Sequence, residues 1–343
     1  MLFEINMIIT KTPFRISFFG GGTDIEDFFK RHKGAVISTT FDKYVYVTIR
    51  HLPRFFDYST EIKYSKIERV TSLDDIEHPM VRNAMKMRNM HELYISYDAD
   101  LPGRTGLGTS STFAVGLLNG FNCLKGKQVT KQKLAEDAIY LERVLCNEDG
   151  GWQDQIAAAF GGLNRIDFTN DGFKVTPINI SEKRKKQLDN NLLLFFTGFT
   201  RLSSDIQKAT KKVINDKEKE LMQMVELVDL AQDILENDKR DLDEFGRLLD
   251  TSWKLKRSTG DHISKASIDC FYEKGISAGA LGGKLLGAGG GGFLLFYVNP
   301  NKQDSVREAL KDLMEVPFSF ENEGAQVIYN SPEMFDINSS KEK

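Results

Sequence analysis

The chain has 343 residues, a formal net charge of −3 and an ordinary composition, 41% hydrophobic and 28% charged. These totals exclude a disordered or fibrous chain and disfavour nucleic acid as the main partner, and the length predicts two structural units with a cleft between them. The three cysteines form no CxxC pair and no apolar run reaches the roughly 20 residues that span a bilayer, so we expect a cytoplasmic protein without disulfides, a zinc site or a membrane partner.

The first half of the chain is predicted to mix strands and helices in one unit. Runs of β-branched and aromatic residues predict strands, and apolar residues at helical spacing predict helices. The first strand runs directly into Gly20-Gly21-Gly22, a tight glycine turn. The predicted strands cover residues 8–19, 35–50 and 93–97, and the predicted helices cover residues 24–31, 113–123 and 131–146.

The second half is predicted to begin after a hairpin and a charged stretch. TNDG, residues 169–172, is typical of the hairpin turn, and the charged residues 181–191 separate that hairpin from an apolar strand over 192–197. We place the domain boundary in this stretch. Further helices are predicted around Leu221, Val225, Val228 and Leu235 and over 268–278 and 302–314, and strands over 293–298 and 325–329.

The stretch LPGRTGLGTSSTFAVG, residues 101–116, places Gly103, Gly106 and Gly108 and four hydroxyl residues ahead of an apolar helix. Glycines let backbone N–H groups approach a ligand closely, and a helix N-terminus adds free donors and a partial positive charge. The hydroxyls are suited to capping the helix, binding phosphate oxygens or ligating magnesium. One hydroxyl is enough for a cap, so the pattern favours a phosphate site over the alternative of a structural loop.

A second glycine-rich loop, residues 282–292, precedes a predicted strand. It is not a Walker motif, because Leu285 follows Lys284 where serine or threonine is required. Residues 287–292 satisfy GxGxxG, but a dinucleotide site needs a strand before the loop and a helix after it. The observed order disfavours an NAD enzyme. The structural alternative for this loop is a tight connection before a buried strand.

Three segments resemble, in order, the motifs of the GHMP kinases, the superfamily of galactokinase and of homoserine, mevalonate and phosphomevalonate kinases. TPFRISFFGGGTD at 12–24 is similar to the first motif, the loop at 101–116 to the PxxxGLGSS phosphate loop, and KLLGAGGGG at 284–292 to the third motif. The resemblance implies a two-lobed α+β fold. Its N-terminal lobe, residues 1–188, would resemble ribosomal protein S5 domain 2, and its C-terminal lobe, residues 189–343, would be ferredoxin-like.

The first motif also points to a subgroup. Galactokinases have Gly-Glu-His-Thr-Asp where this chain has GGGTD at 20–24, and this version, with GGWQDQ at 150–155 and FTGFTR at 196–201, resembles D-glycero-D-manno-heptose 7-phosphate kinases. The resemblance implies an ATP-dependent sugar 1-kinase that phosphorylates the anomeric hydroxyl of heptose 7-phosphate to the 1,7-bisphosphate, a precursor for surface polysaccharide. L-fucose kinase or another sugar 1-kinase stays open, as does a non-catalytic nucleotide- or sugar-binding regulator.

The resemblance assigns phosphoryl transfer to Asp154 and Arg15. Asp154 lies in the Asp-Gln pair of GGWQDQ, where the family has its catalytic aspartate, and would act as the base on the sugar hydroxyl. Arg15 matches the basic residue of the first motif and would pair with this aspartate or with the transferred phosphate. The structural alternatives are an exposed carboxylate at a helix start and a strand-end arginine that faces water.

For ATP, the resemblance implies contacts from both glycine-rich loops and Mg²⁺ as the cofactor. Glu142 matches the family's magnesium carboxylate, and Ser110 or Ser111 would share the metal; a solvated helix surface is the alternative for Glu142. The expected nucleotide-binding residues are Pro102, Gly103, Arg104, Thr105, Gly106, Leu107, Gly108, Thr109, Ser110 and Ser111 in the first loop and Gly287, Gly289 and Gly290 in the second.

The sugar phosphate is expected beside the first motif and GGWQDQ. Asp24 would bind sugar hydroxyls or cap the helix that follows it, and the glycines before it would leave room for a seven-carbon ligand. Arg201 first and Arg104 second are the candidates for the distal phosphate of the substrate. The predicted substrate residues are Gly21, Gly22, Thr23, Asp24, Gly151, Gln155 and Arg201.

The expected partners are few. A small-molecule sugar phosphate is the substrate, and neither nucleic acid nor a membrane is expected to bind. A homodimer is left open, because no motif reports the oligomeric state. Met7 opens an alternative start, and which of Met1 and Met7 begins the chain is left open as well.

Overall fold

The computed structural model describes residues 2–198, 216–260, 263–287 and 289–336. Its strands are β1 (Leu2–Phe19), β2 (Gly34–His51), β3 (Thr60–Lys63), β4 (Ile67–Val70), β5 (Leu93–Ala99), β6 (Asn164–Thr169), β7 (Gly172–Pro177), β8 (Leu192–Phe196), β9 (Gly282–Leu285), β10 (Phe293–Tyr297), β11 (Met314–Glu315), β12 (Phe320–Glu321) and β13 (Gln326–Asp336). Its helices are α1 (Glu26–His32), α2 (Pro79–Arg88), α3 (Thr109–Leu124), α4 (Lys131–Ile139), α5 (Gln153–Phe160), α6 (Glu182–Asn190), α7 (Glu218–Glu236), α8 (Asp243–Arg257), α9 (Ala266–Ser277) and α10 (Gln303–Ala309).

The first sheet is built on β1 and β2, which pair antiparallel over most of their length. In β2, buried Val45, Val47 and Ile49 alternate with partly exposed Tyr46 and Thr48, which is the period of a strand with one covered face. The strand order is β13-β1-β2-β5-β3-β4, and β12 and the β6-β7 hairpin also join through β2. β1 is therefore an internal strand of the sheet, and the glycine turn follows its C-terminal end.

Helix α3 packs on the covered face of this sheet, and two glycines permit the close approach. A Cβ at Gly116 would lie 2.8 Å from Thr12 Oγ1, and a Cβ at Gly120 would lie 2.5 Å from Ile49 Cδ1. Protein interiors are close-packed, so larger side chains at these two positions would force the helix away from the strands. The tight packing holds the N-terminus of α3, where the predicted phosphate loop ends, against β1.

The second sheet is antiparallel, with the strand order β11-β8-β10-β9. Its central strands are nearly continuous apolar runs, LLLFF in β8 and FLLFY in β10, because both faces are covered. On one of these faces Tyr272 of α9 stacks on Phe296 with ring centroids 5.7 Å apart, and Trp253 of α8 packs on Tyr272 at 6.2 Å.

The two sheets are joined by aromatic packing at the end of β1. Phe245 of α8 meets Phe18 and Phe19 edge to face, with ring centroids 5.3 and 5.1 Å apart. All three rings are fully buried. Edge-to-face pairs of this kind add to the free energy gained by burying the rings. Helix α8, from the second half of the chain, is thereby fixed beside the glycine turn of the first half.

The charged stretch that was expected to separate the domains forms helix α6. Arg184 turns inward and donates hydrogen bonds to the carbonyls of Ile234 (2.6 Å) and Arg240 (3.0 Å), which ties α6 to the end of α7. The second sheet begins with β8, shortly after the predicted boundary, but β12 and β13 return from the far end of the chain to the first sheet. The ranges 1–188 and 189–343 are therefore not two closed units.

Other differences are shifts at the ends of predicted elements and elements that the sequence analysis did not predict, namely β3, β4, β9, β11, β12, α2, α5 and α8. The helix predicted over 302–314 ends at Ala309, because Met314 begins a short strand that pairs with β8. β1 begins at Leu2 rather than at residue 8, since residues 2–11 pair with β13. Among the described helices, none is both long enough and apolar enough to cross a bilayer.

Candidate active site

Arg15 and Asp154 form a two-pronged ion pair where β1 meets the start of α5. Arg15 Nε donates to Asp154 Oδ1 at 2.7 Å, and Nη2 donates to Oδ2 at 2.8 Å. The third arm of the guanidinium, Nη1, donates to the carbonyl of Gly106 at 2.7 Å. The Arg15 side chain is 4% exposed and that of Asp154 is 19% exposed. Neither residue is thus a free surface charge, and the carboxylate is oriented while part of it stays accessible.

The first glycine-rich loop lies directly against this pair. Gly106 and Gly108 have φ of +82° and +78°, which favours glycine, and a Cβ at Gly108 would lie 3.2 Å from Asp154 Oδ2. Thr105 Oγ1 donates to the carbonyl of Pro102 at 2.8 Å and closes the turn. The loop therefore brings its bare backbone to the accessible side of the carboxylate.

The N-terminus of α3 has the features of an anion cradle. Gly108 is the N-cap residue and supplies no side-chain cap, so the first N–H groups of the helix remain available. Within the described residues, the buried hydroxyl of Thr109 has no hydrogen-bond partner. Leu107 is fully buried and anchors the loop, while Pro102 and Arg104 are exposed. These residues fit a nucleotide's phosphate groups.

The second glycine-rich loop touches the first. A Cβ at Gly287 would lie 2.4 Å from the Cα of Gly106, so the two backbones are in direct contact. Ile263 fixes the next part of the loop. Gly290 N donates to the carbonyl of Ile263 at 2.8 Å, and a Cβ at Gly289 would lie 2.6 Å from the same oxygen. The structure places the second loop edge to edge with the first.

Asp24 is buried between the glycine turn and the start of α5. Its Oδ1 accepts from the backbone N–H of Gly22 at 2.9 Å, and its Oδ2 accepts from that of Gln153 at 3.2 Å. A Cβ at Gly151 would lie 1.8 Å from Oδ2, so Asp24 fills the space that this glycine leaves. The N-cap residue of α1 is Ile25, and the expectation that Asp24 caps its own helix is wrong. It binds the first N–H of α5 instead.

The electrostatics of Asp24 follow from this burial. Burial raises the pKa of Asp24, the hydrogen bond from the Gly22 amide opposes the rise, and the negative charge of Asp154 adds to it. The Asp24 carboxylate is 2% exposed. Two acidic groups therefore lie near one another at the mouth of α5, one enclosed and one accessible.

Two further predicted substrate residues face inward. Thr23 is fully buried, and its hydroxyl lies within hydrogen-bond distance of the carbonyls of Gly20 (2.8 Å) and Ala35 (2.9 Å), to which its one hydrogen can be donated, while its oxygen accepts the N–H of Ala35 at 3.1 Å; these contacts pin the glycine turn to β2. Gln155 is also fully buried, and its Nε2 donates to the Glu142 carboxylate. Direct contact of these two side chains with a sugar does not fit their positions. Arg201 lies outside the described residues.

Glu142 lies in a π-helical turn, Tyr140–Leu145, and is 1% exposed, so it is not a solvated surface residue. Ser110 is exposed and Ser111 is buried at the start of α3. No group of three or more His, Cys, Asp and Glu in the described part of the chain could hold a metal ion alone. One carboxylate with hydroxyl groups does fit Mg²⁺ that shares its remaining ligands with phosphate oxygens and water.

Two lysines complete the surroundings of the glycine turn: Lys256, which is partly buried, and Lys284, which is buried. Lys256, near the end of α8, donates from Nζ to the carbonyl of Gly21 at 3.0 Å. Burial lowers the pKa of Lys256, and the negative charge of Asp24 opposes that shift. Sequence reasoning missed this residue, because a lysine in the last turn of an amphipathic helix carries no signal of its own.

Lys284 of β9 reaches across to the first sheet. Its Nζ donates to the carbonyls of Ser17 (2.9 Å) and Phe18 (2.8 Å). Burial, with the positive charges of Lys256 and Arg15, lowers the pKa of Lys284 to about 7. Lys284 ties the second sheet to the end of β1.

Arg143 is a second residue that sequence reasoning missed. It follows Glu142 and donates from Nη1 to the carbonyl of Asp149 at 2.9 Å and from Nη2 to that of Gly151 at 3.0 Å. These bonds hold the loop that leads into α5 and Asp154. A single arginine in a helical pattern gives no sign of contacts made beyond the helix.

Comparison with known proteins agrees with this geometry. The family model for the N-terminal domain of GHMP kinases matches residues 77–162, and the model for their C-terminal region matches residues 230–316. The D-glycero-alpha-D-manno-heptose 7-phosphate kinase of Campylobacter jejuni is 31% identical over 93% of this chain and 98% of its own length. The L-fucokinase/L-fucose-1-P guanylyltransferase of Bacteroides fragilis is 29% identical over 61% of this chain and 22% of its own length.

A solved structure gives the same result for the fold. The D-glycero-D-manno-heptose 1-phosphate kinase of Bacteroides thetaiotaomicron superposes with a TM-score of 0.74 at 25% identity, covering 94% of this chain and 99% of that one. The expected two-lobed α+β architecture is confirmed. With both family models, a full-length relative and the paired glycine loops in agreement, the chain belongs to the GHMP kinase family and is an ATP-dependent sugar kinase.

Proposed function

We propose that this sugar kinase transfers the γ-phosphoryl group of ATP to the anomeric hydroxyl of D-glycero-D-manno-heptose 7-phosphate and releases the 1,7-bisphosphate. The proposal is supported by the Campylobacter jejuni relative, which is named for heptose 7-phosphate and matches nearly the whole chain. The observation in this chain that carries it is the oriented carboxylate of Asp154, held by Arg15 at the edge of the Gly106–Gly108 turn.

In the proposed reaction, Asp154 accepts the proton of the sugar hydroxyl as that oxygen attacks the γ-phosphorus. Arg15 fixes the direction of the carboxylate, because both of its oxygens are bound by one planar guanidinium. The Gly106 carbonyl holds the guanidinium in turn. Phosphoryl transfer depends chiefly on such positioning and on stabilisation of charge, and the partly enclosed pair supplies both.

We assign the ATP phosphates to the backbone of residues 102–108 and the first turn of α3, through Thr109, Ser110 and Ser111. Gly287, with Gly289 and Gly290 behind it, borders the same cradle. Glu142 and one of the two serines would hold Mg²⁺, with Gln155 orienting the Glu142 carboxylate. Bound there, the metal would neutralise charge on the phosphate oxygens.

The sugar is assigned to the glycine turn after β1. Each Asp24 oxygen accepts one backbone N–H, so lone pairs remain for sugar hydroxyls that approach past Gly21 and Gly22. Thr23, Gly151 and Gln155 serve this site by shaping it. For the distal phosphate, the sequence resemblance alone offers Arg201 and after it Arg104.

The test is ADP release with a panel of sugars and sugar phosphates, comparing the wild type with Asp154→Asn. We expect turnover with heptose 7-phosphate and a kcat that falls about 10²- to 10⁴-fold in the variant, because the base is lost while the shape is kept. The unfolding midpoint and the affinity for ATP should change little. Full activity of Asp154→Asn would refute the mechanism.

The alternative substrate is L-fucose, favoured by the Bacteroides fragilis relative. The same panel separates the two candidates. Turnover of free fucose without turnover of heptose 7-phosphate would replace the proposed substrate and leave the roles of Asp154 and Arg15 unchanged.

A further inference from the structure

Lys256 places a positive charge from the second half of the chain at the glycine turn of the first half. It lies in the last turn of α8, partly buried, and its Nζ donates to the Gly21 carbonyl at 3.0 Å. Within the described residues it forms no ion pair with a carboxylate of the protein. The negative charge of Asp24 acts on this ammonium group without a direct contact, so an anion that arrives with a ligand can bind it directly.

The ammonium group has more N–H donors than its contacts within the described residues use. It carries three N–H donors, and the Gly21 carbonyl uses one of them. A Cβ at Gly22 would lie 3.1 Å from Lys256 Nζ, so the missing side chain of Gly22 leaves the charge uncovered toward the turn. Gly22 has φ of +110°, a conformation that favours glycine.

The charged groups of the site follow one another in a row. One oxygen of Asp24 accepts the N–H of Gln153, which precedes Asp154 in the chain. The other oxygen accepts the N–H of Gly22, which lies next to Lys256 Nζ. The order is therefore Asp154, Asp24, Lys256: two acidic groups and then a basic one. A ligand with a hydroxyl at one end and a phosphate at the other is favoured in only one direction along this row.

We infer that Lys256 binds the phosphate group that the acceptor sugar carries at the end opposite its reacting hydroxyl. This inference rests on the proposed function and deepens it. The acidic groups repel the sugar's phosphate from Asp154 while the ammonium group attracts it, so the anomeric hydroxyl is presented to the base. Arg104, by contrast, is exposed on the loop assigned to the nucleotide phosphates. Lys256 is thus a specificity-determining residue for sugar phosphate over free sugar.

The test compares Lys256→Met with Lys254→Met, a matched control, because Lys254 lies on the same helix, is exposed and pairs with Asp250 at 2.7 Å. KM is measured by ADP release for ATP, for D-glycero-D-manno-heptose 7-phosphate and for the same heptose without phosphate, with calorimetric binding of both sugars in parallel. We expect Lys256→Met to raise KM for the 7-phosphate about tenfold to a hundredfold.

In the same variant, KM for ATP and the binding of the unphosphorylated heptose should stay within about twofold of the wild type, and Lys256→Arg should recover part of the loss. An equal loss for both sugars would assign Lys256 to the shape of the turn and overturn the inference, as would an unchanged KM for the 7-phosphate. Wild-type protein that neither binds nor phosphorylates the 7-phosphate would overturn the proposed function itself, and the inference with it.

Discussion

Single side chains at the active site act as ties between distant parts of the chain. Arg15 joins β1 to α5 and to the first glycine loop with three hydrogen bonds, and Lys284 joins β9 to the end of β1 with two. An arginine keeps its charge in such a place, because its guanidinium stays protonated. A buried lysine loses its proton more easily, and a neutral amine still has two hydrogens for the two carbonyls.

The lowered pKa of Lys284 predicts a pH dependence of stability. Between pH 7 and the ordinary lysine pKa near 10.5, the unfolded chain holds a proton that the folded chain has released. The free energy of unfolding should therefore rise with pH in this window, by up to about 1.4 kcal/mol per pH unit from this group. Lys284→Met should remove that part of the slope, as measured by denaturant unfolding at pH 7 to 10.

The control for this slope is Lys183→Met, which replaces an exposed lysine of α6. Its stability curve should run parallel to that of the wild type across the whole pH range. If Lys284→Met also runs parallel to the wild type, then Lys284 keeps its proton in the folded protein and the expected linkage is absent.

At the scale of elements, the site is made where two glycine-rich loops meet. The first lies between β5 and α3 and the second between β9 and β10, so each follows a strand of a different sheet. Their backbones touch at Gly106 and Gly287, which only residues without a Cβ permit. The glycines therefore serve the assembly of the two loops as well as ligand binding.

Gly106→Ala tests this contact, with Gly103→Ala as the matched control. A Cβ at Gly106 would lie 2.3 Å from the carbonyl oxygen of Leu286, on a residue with φ of +82°, whereas a Cβ at Gly103 would meet no atom closer than 4.0 Å. We expect Gly106→Ala to lower the free energy of unfolding by at least about 2 kcal/mol and Gly103→Ala to change it by less than about 0.5 kcal/mol. Denaturant unfolding of both variants measures this. Similar values for both would mean that the loops separate without cost.

At the scale of the whole molecule, the chain is interleaved. β13 pairs with β1 along residues 2–11, and β12 pairs with β2, so the end of the chain completes the sheet that its beginning starts. Helix α7 packs against this sheet. Its Val228 is fully buried and lies next to Gly20. Arg15 and Asp154 lie in the first half, but the sheet that carries Arg15 needs the second half.

A fragment of residues 1–188 should therefore fail to fold alone, although it includes Arg15, Asp154 and the first glycine loop. It lacks β13 and α7, which leaves the edge of β1 and apolar surface exposed to water. Near-UV circular dichroism and thermal denaturation should show no cooperative transition. Co-expression with residues 189–343 should restore one. A sharp transition of the fragment alone, near that of the full chain, would show that the two ranges are independent domains.

The amino-acid sequence alone indicated most of the elements and the local chemistry. A run of β-branched and aromatic residues identified β2, helical spacing identified α3, and the resemblance of three glycine-rich motifs to the GHMP kinases pointed to a kinase that uses Asp154 and Arg15. These are short-range signals, because the pattern that predicts a strand, a helix or a glycine loop is formed by residues that are neighbours in the sequence.

Only the tertiary structure decided which distant groups share one environment. It buried Thr23 and Gln155, filled the space at Gly151 with the Asp24 carboxylate, and set the two glycine loops edge to edge. It also brought Lys256 to the glycine turn of the first half. Burial, charge coupling and backbone contact depend on residues far apart along the chain, so local patterns carry no record of them.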